Sequence, residues 1–489
     1  MTHLFPSASD LDTNNQNSID YWSEAHGAAR SLAIAETATR ANAPFLVICD
    51  SNESVEVFRR EIGYFCKNRN DLQVLTLPDW ETLPYDNFSP HQDIISDRLR
   101  ALFHLPNFKK GILVISITSL MHRFPPKSYV FANTLLLETG QSIQLEKLRE
   151  QLIAANYNLC EMVYEHGEFA VRGSIVDIFP MGSHAPLRIE LWDEEIETIR
   201  VFDPETQRSG TTKKEIRLLP GREYPLDPEG VSYFRSAFRE RFDIDCRESP
   251  IYQDVSEGIA SAGLEYYLSL FFAELESFSD YLPKNTVVCR AGDLKNTGEK
   301  FWNEITARFE ERRYDQIKPI LEPSEVFLKV DEILNYLKPF RQVAFADIAD
   351  CKSLKSLALP PLNADRTLSD PFALLESFLL DNSAHRILFC AETNGRRESL
   401  LEMLHEINIK PVPVEHWDQF VNSKEILGIT IANIDQGLWL PEHRLALVSE
   451  SLLFSTKVAQ RRRRNKKGNT DLIVRDLTEL RVDDAVVHV

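Results

Sequence analysis

The stretch Glu165-His-Gly-Glu-Phe-Ala-Val-Arg-Gly-Ser-Ile-Val-Asp-Ile-Phe-Pro180, continued by Pro186-Leu-Arg-Ile-Glu-Leu-Trp-Asp-Glu-Glu-Ile-Glu-Thr-Ile-Arg-Val-Phe-Asp203, reads as three short strands. Leu187, Ile189 and Leu191 alternate with Arg188, Glu190 and Trp192, and beyond the acidic tip Asp193-Glu194-Glu195 the segment Ile196 to Phe202 continues as a partner strand. A three-residue tip would set Ile189 against Ile199 and Leu187 against Val201 on a buried face. The other face would then oppose Arg188 to Arg200 and Trp192 to Ile196. Like charges directly opposed across a strand pair cost roughly a few tenths of a kcal/mol. A tryptophan beside them has no evident use within the hairpin, so the pattern calls for something acidic and partly apolar against this face. Glu190 as the neutralising acid, with Trp192 covered by a loop of its own domain, is the plainer reading; an outside partner is the other.

The spacing Arg172-Gly173-Ser174, Asp177-Ile178-Phe179-Pro180, Arg188, then Arg200-Val201-Phe202-Asp203 resembles the UvrA-binding module shared by the repair helicase UvrB and the transcription-repair coupling factor (Mfd) family. The resemblance implies UvrA as the partner. Arg172, Arg188 and Arg200 would meet acidic residues on UvrA, and Trp192 would be the aromatic anchor, at a position where the family more often has phenylalanine.

Working outward, 489 residues are too many for one hydrophobic core and imply three or four domains. The 43% hydrophobic and 10% aromatic content supplies several cores. With 55 Lys and Arg against 74 Asp and Glu, the formal net charge of -19 argues against nucleic acid as the default partner. Seven scattered cysteines, with no Cys-x-x-Cys, indicate neither a zinc site nor a disulfide framework and fit a reducing, cytoplasmic setting. No segment approaches the roughly 20 apolar residues of a membrane span, so no membrane association is expected.

Toward the N-terminus, Ile19 to Ala41 carries helical spacing, Phe45 to Cys49 reads as a strand, a helix capped at Ser54 runs to Phe65, and strands follow at Gln73 to Leu77 and Ile112 to Ser116. This alternation indicates a parallel sheet of the nucleotide-binding kind. A helicase phosphate loop, Gly-x-x-x-x-Gly-Lys-[Ser/Thr], would fall on Glu24 to Ser31. Glu24 and Ala29 replace its glycines, Arg30 replaces the lysine and only Ser31 survives, beside Gly27. A Cβ at Ala29 hinders the backbone approach that cradles phosphates, and a guanidinium is no simple substitute for an ammonium. With no acidic magnesium motif after Ile112 to Ser116, the site reads as degenerate and this chain as no enzyme and without a cofactor. The competing reading is an ATP-dependent helicase or translocase acting on DNA.

Trp80 to Arg98 reads as a Pro-rich turn into a helix capped by Ser89 or Asp93, with Arg98 facing solvent and His91 a surface or packing residue. It resembles the corresponding stretch of the coupling factors and lacks the aromatic hairpin that UvrB inserts between the positions of Tyr85 and Asp93. The aromatics Tyr266, Tyr267, Phe271 and Phe272 read as packing. Strands near Arg386 to Cys390 and Ile429 to Ala432, a helix at Arg396 to Ile407 and an apolar run at Leu445 to Ser449 form a small α/β unit.

The resemblance extends over nearly the whole chain and implies a multidomain α/β fold. A degenerate helicase-like parallel-sheet domain in two halves, 1–123 and 220–350, would carry an inserted α+β UvrA-binding module at 124–219. A small α/β domain at 355–453, a basic linker at 454–475 containing Arg461 to Lys467, and the opening strand of an RNA polymerase-interacting domain at 476–489 would follow. The chain then corresponds to the N-terminal portion of the family. ATP, magnesium, DNA and RNA polymerase would be handled by C-terminal domains it does not contain. The masking of the UvrA-binding face by a C-terminal domain, which the resemblance implies for intact family members, would be missing here.

Overall fold

The computed structural model describes residues 19–41, 43–69, 72–346, 351–364 and 371–454. The basic run Arg461 to Lys467 and the segment 476–489 lie outside the described residues. Seven parallel strands form the largest sheet, in the order Lys352–Ser353, Ile19–Ser23, Arg341–Phe345, Val287–Ala291, Pro44–Cys49, Gly111–Ser116, Gln73–Leu77. Pro44–Cys49 and Gly111–Ser116 are buried at every position because helices cover both faces. Their alternate residues feed two cores: Phe45, Val47 and Val114 face one, Leu46, Ile48 and Ile115 the other.

Between strands Gly111–Ser116 and Val287–Ala291 the chain leaves this sheet to build a second one, in the order Ser209–Lys213, Glu195–Phe202, Leu187–Trp192, Ile175–Ile178, Glu168–Arg172, Asn158–Leu159. It is antiparallel except for the last pair. Leu135–Glu138 and Glu215–Leu218 pair antiparallel where the chain enters and leaves it. The third sheet, with Leu427–Ile431, Arg386–Ala391 and Leu445–Ser449 at its centre, is the small α/β unit; its helix spans Asn394–Glu406.

Several local expectations change. Ile19–Ser23 is a strand, and the helix begins only at Ala29, because the first segment pairs with Arg341–Phe345. The second helix starts at Asn52, capped by the Ser51 hydroxyl, which accepts from the Ser54 amide. The Gln92–His104 helix is capped by His91, whose ring accepts from the Asp93 amide. Arg98 does not face solvent. It is fully buried, its Nε donating to Glu223 Oε1 at 2.8 Å and an Nη to the Pro78 carbonyl at 2.9 Å, with its guanidinium over the rings of Trp80 and Phe124. A carboxylate 125 positions away makes that burial tolerable. Tyr266, Tyr267 and Phe271 are core residues as expected, with Phe272 packed partly buried against them. No strand occurs among the described residues between Leu77 and Gly111, so no hairpin stands at Tyr85 to Asp93.

Candidate functional site

The hairpin at the centre of the second sheet turns in two residues rather than three. Asp193 takes the left-handed conformation (φ 58°), and Trp192 pairs with Glu195 instead of Ile196. Ile196 sits opposite Leu191 and is buried. A bulge between Ile196 and Thr198 then absorbs one residue, so Ile199 meets Ile189, Arg200 meets Arg188 and Val201 meets Leu187. The tip was misread by one residue, and the bulge returns the register to the expected pairs.

One cross-strand row on the outer face runs Ala170, Asp177, Arg188, Arg200, Thr212. The next row carries Arg172, Ile175, Glu190 and Thr198. Arg188 therefore has an intramolecular acid, Asp177, on the neighbouring strand away from Arg200. The Asp177 carboxylate is 1% exposed. It accepts from Arg188 Nε at 2.6 Å and from an Arg188 Nη at 2.9 Å, and it also accepts from Arg172. Hydrogen bonding to this carboxylate raises the Arg188 pKa further above its ordinary value, so the guanidinium stays charged. Arg188 also donates to the Gln207 carbonyl at 3.2 Å and lies over the Phe202 ring, 4.9 Å from its centroid. Glu190, the acid the plainer reading would use, accepts from the Thr198 hydroxyl at 2.8 Å. Asp177 was legible only as a lone charge inside the apolar run Ile175 to Ile178; without the register, nothing tied it to Arg188.

The four residues singled out from the sequence share this face but differ in availability. The Trp192 ring is 75% exposed, so no loop of the described chain covers it. The Arg172 side chain is 47% exposed while holding Asp177. Arg188 is 15% exposed and its donors are engaged. Arg200 is half-buried, its enclosed Nε without a hydrogen-bond partner among the described residues.

The segment Glu24 to Ser31, where the sequence aligns with a phosphate loop, leads into the Ala29–Arg40 helix against the small α/β unit. The Ala28 amide, one of the helix-start donors a phosphate would use, donates to the Gly437 carbonyl at 2.8 Å. Gly27 holds φ 52°, and a Cβ there would lie 2.5 Å from that carbonyl. The His26 amide donates to the Ser356 hydroxyl, and Ala29 is fully buried. Arg30 donates from Nε to the Ala25 carbonyl at 2.9 Å and lies over the Phe345 ring. The Ser31 hydroxyl donates to Glu61 at 2.5 Å; burial pushes the Glu61 pKa up.

Two family models match the chain: the UvrB interaction domain over residues 135–224 and the MFD D3 domain over residues 378–453. The first covers the second sheet together with the Leu135–Glu138 and Glu215–Leu218 pair; the second covers most of the small α/β unit. The transcription-repair-coupling factor of Haemophilus influenzae is 38% identical over 470 residues, 94% of this chain and 40% of that protein. That of Escherichia coli is 37% identical over 472 residues, covering 95% and 40%. That of Bacillus subtilis is 24% identical over 485 residues, again covering 95% and 40%. The chain thus spans about two-fifths of the length of these curated relatives. With its UvrB interaction domain and its D3 domain, it corresponds over nearly all of its residues to the N-terminal portion of the transcription-repair-coupling factors.

Proposed function

We propose that this chain serves transcription-coupled nucleotide excision repair as an adaptor that recruits UvrA, and that it has no motor activity of its own. The observation that carries the reading is Trp192, three-quarters exposed at the tip of a hairpin that carries Arg188 and Arg200 on its outer face, with Arg172 on the same face two strands away. Tryptophan and arginine are among the residue types that dominate interface energetics. The pairing with Asp177 refines their roles: Trp192 is the anchor, Arg172 offers an exposed charge, and Arg188 holds the face in one conformation before a partner arrives. Contacts with RNA polymerase and DNA, and the use of ATP and magnesium, belong on this reading to segments of the coupling factors beyond the matched portion. A cytoplasmic location follows from the same role; among the described residues no helix is long and apolar enough to cross a membrane.

The test is a calorimetric titration of purified UvrA into this chain. Trp192→Ala is expected to weaken binding by about 2 kcal/mol or more, roughly thirtyfold, with the unfolding midpoint unchanged. Equal affinity of the variant and the parent would sink the assignment.

A further inference from the structure

A cavity of about 200 Å³ opens where the Gln92–His104 helix meets the inserted sheet. Arg100, Phe103 and His104 line it from the helix, and Lys213, Glu215 and Arg217 line it from the segment that leaves the sheet. Leu187, Ile216 and Leu219 supply apolar wall. Three basic side chains of Lys and Arg against one carboxylate is the reverse of the balance of a chain with net charge -19. Arg217 lies over the Phe103 ring, 5.2 Å from its centroid, and neither it nor Lys213 has a carboxylate partner among the described residues. Arg100 is paired with Asp97 at 2.8 Å through one nitrogen, while another lies 3.0 and 3.2 Å from the two ring nitrogens of His184. These cations come from two separately built parts of the fold and converge on one space large enough for more than a single water.

We propose that this cavity binds a small, doubly charged oxyanion of the phosphate class, held between Arg100 on the helix and Lys213 and Arg217 on the inserted module. Such a ligand ties the module to the helix and supplies the charge that the walls lack. Two histidines report on the same field. Burial first, then Arg100 and Arg217, lower the His104 pKa; burial, then Arg100 with smaller contributions from His166 and Lys213, lowers that of His184 against the opposing pull of Asp97. An anion that neutralises the cations raises both, and its binding tightens as pH falls through the histidine range.

The experiment uses the intact chain and sulfate, which keeps its double charge across that range, with inorganic phosphate as a second probe. The Cε1–H resonances of His104 and His184, assigned with H104Q and H184Q, are titrated at constant ionic strength. Sulfate is expected to move both titrations upward in a saturable way. The exposed pair Lys213→Ala and Arg217→Ala, combined, is expected to lose affinity about tenfold or more with an unchanged unfolding midpoint. Trp192→Ala is expected to bind sulfate like the parent, which separates this site from the UvrA-binding face. An equal shift with chloride, equal sulfate affinity in the double variant, or displacement of sulfate by a short oligodeoxynucleotide at lower concentration would each overturn the proposal.

Discussion

Asp177 sets one buried negative charge against Arg188 and Arg172, and the two partners differ in what their loss should cost. Arg188 is largely enclosed and faces Arg200 on one side and Asp177 on the other, so Asp177→Ala leaves its guanidinium beside a like charge with its carboxylate partner gone. Breaking such a pair on one side costs about 3 kcal/mol or more. Arg172→Ala, at a side chain 47% exposed, is expected to cost about 1 kcal/mol or less. Urea unfolding of the two variants checks the contrast, and similar losses would show that the sheet does not depend on this charge. Glu265 gives the second prediction at this scale. It is buried in the turn Leu264–Leu270, accepts from the Ser89 hydroxyl at 2.8 Å, and burial pushes its pKa up to about 7. The native state therefore favours the protonated acid. Its contribution to stability is full below the ordinary carboxyl range and is lost as pH rises through about 7, a penalty of roughly 3 kcal/mol. Glu265→Gln should match the parent at acid pH and become the more stable protein as pH rises, the difference levelling above neutrality. Thermal unfolding against pH measures it; a difference independent of pH would refute the burial argument.

At the scale of elements, two short contacts decide what two regions can do. The first is the bulge at Glu197, which lets Ile196 and Ile199, three positions apart, both be buried. Without it, the strand beyond the tip would turn its apolar residues to solvent, since a one-residue slip exchanges the two faces. The second is the contact of Gly437 with the start of the Ala29–Arg40 helix. Helix starts attract phosphate because their first amides lack partners, but here the Ala28 amide is taken by a carbonyl and Gly27 has no space beside it. Calorimetric titration with magnesium and ATP is therefore expected to give no saturable heat. Tight binding would revive a motor role for the seven-stranded sheet.

For the molecule as a whole, the seven-stranded sheet draws strands from residues 19–116 and from 287–353, so the cores on both of its faces are closed across the chain that lies between. Much of this was legible in order along the chain. Phe45 to Cys49 and Ile112 to Ser116 are apolar at nearly every position, as strands covered on both faces must be, and Arg386 to Cys390 repeats the pattern in the small unit. The alternation from Leu187 to Trp192 gave a correct inner and outer face because side chains in a strand have a period of two whatever they pack against. These readings rest on neighbours a few residues apart, and the sequence by itself determined them. Pairings between distant residues were decided only by the tertiary structure. Asp177 neutralises Arg188, Glu223 makes a buried residue of Arg98, Gly437 takes the Ala28 amide, and Arg100 meets Arg217 at one cavity. The charge a side chain carries is written in the sequence, but whether that charge is buried, matched or left free depends on which remote segment packs against it, and short-range patterns hold no information on that.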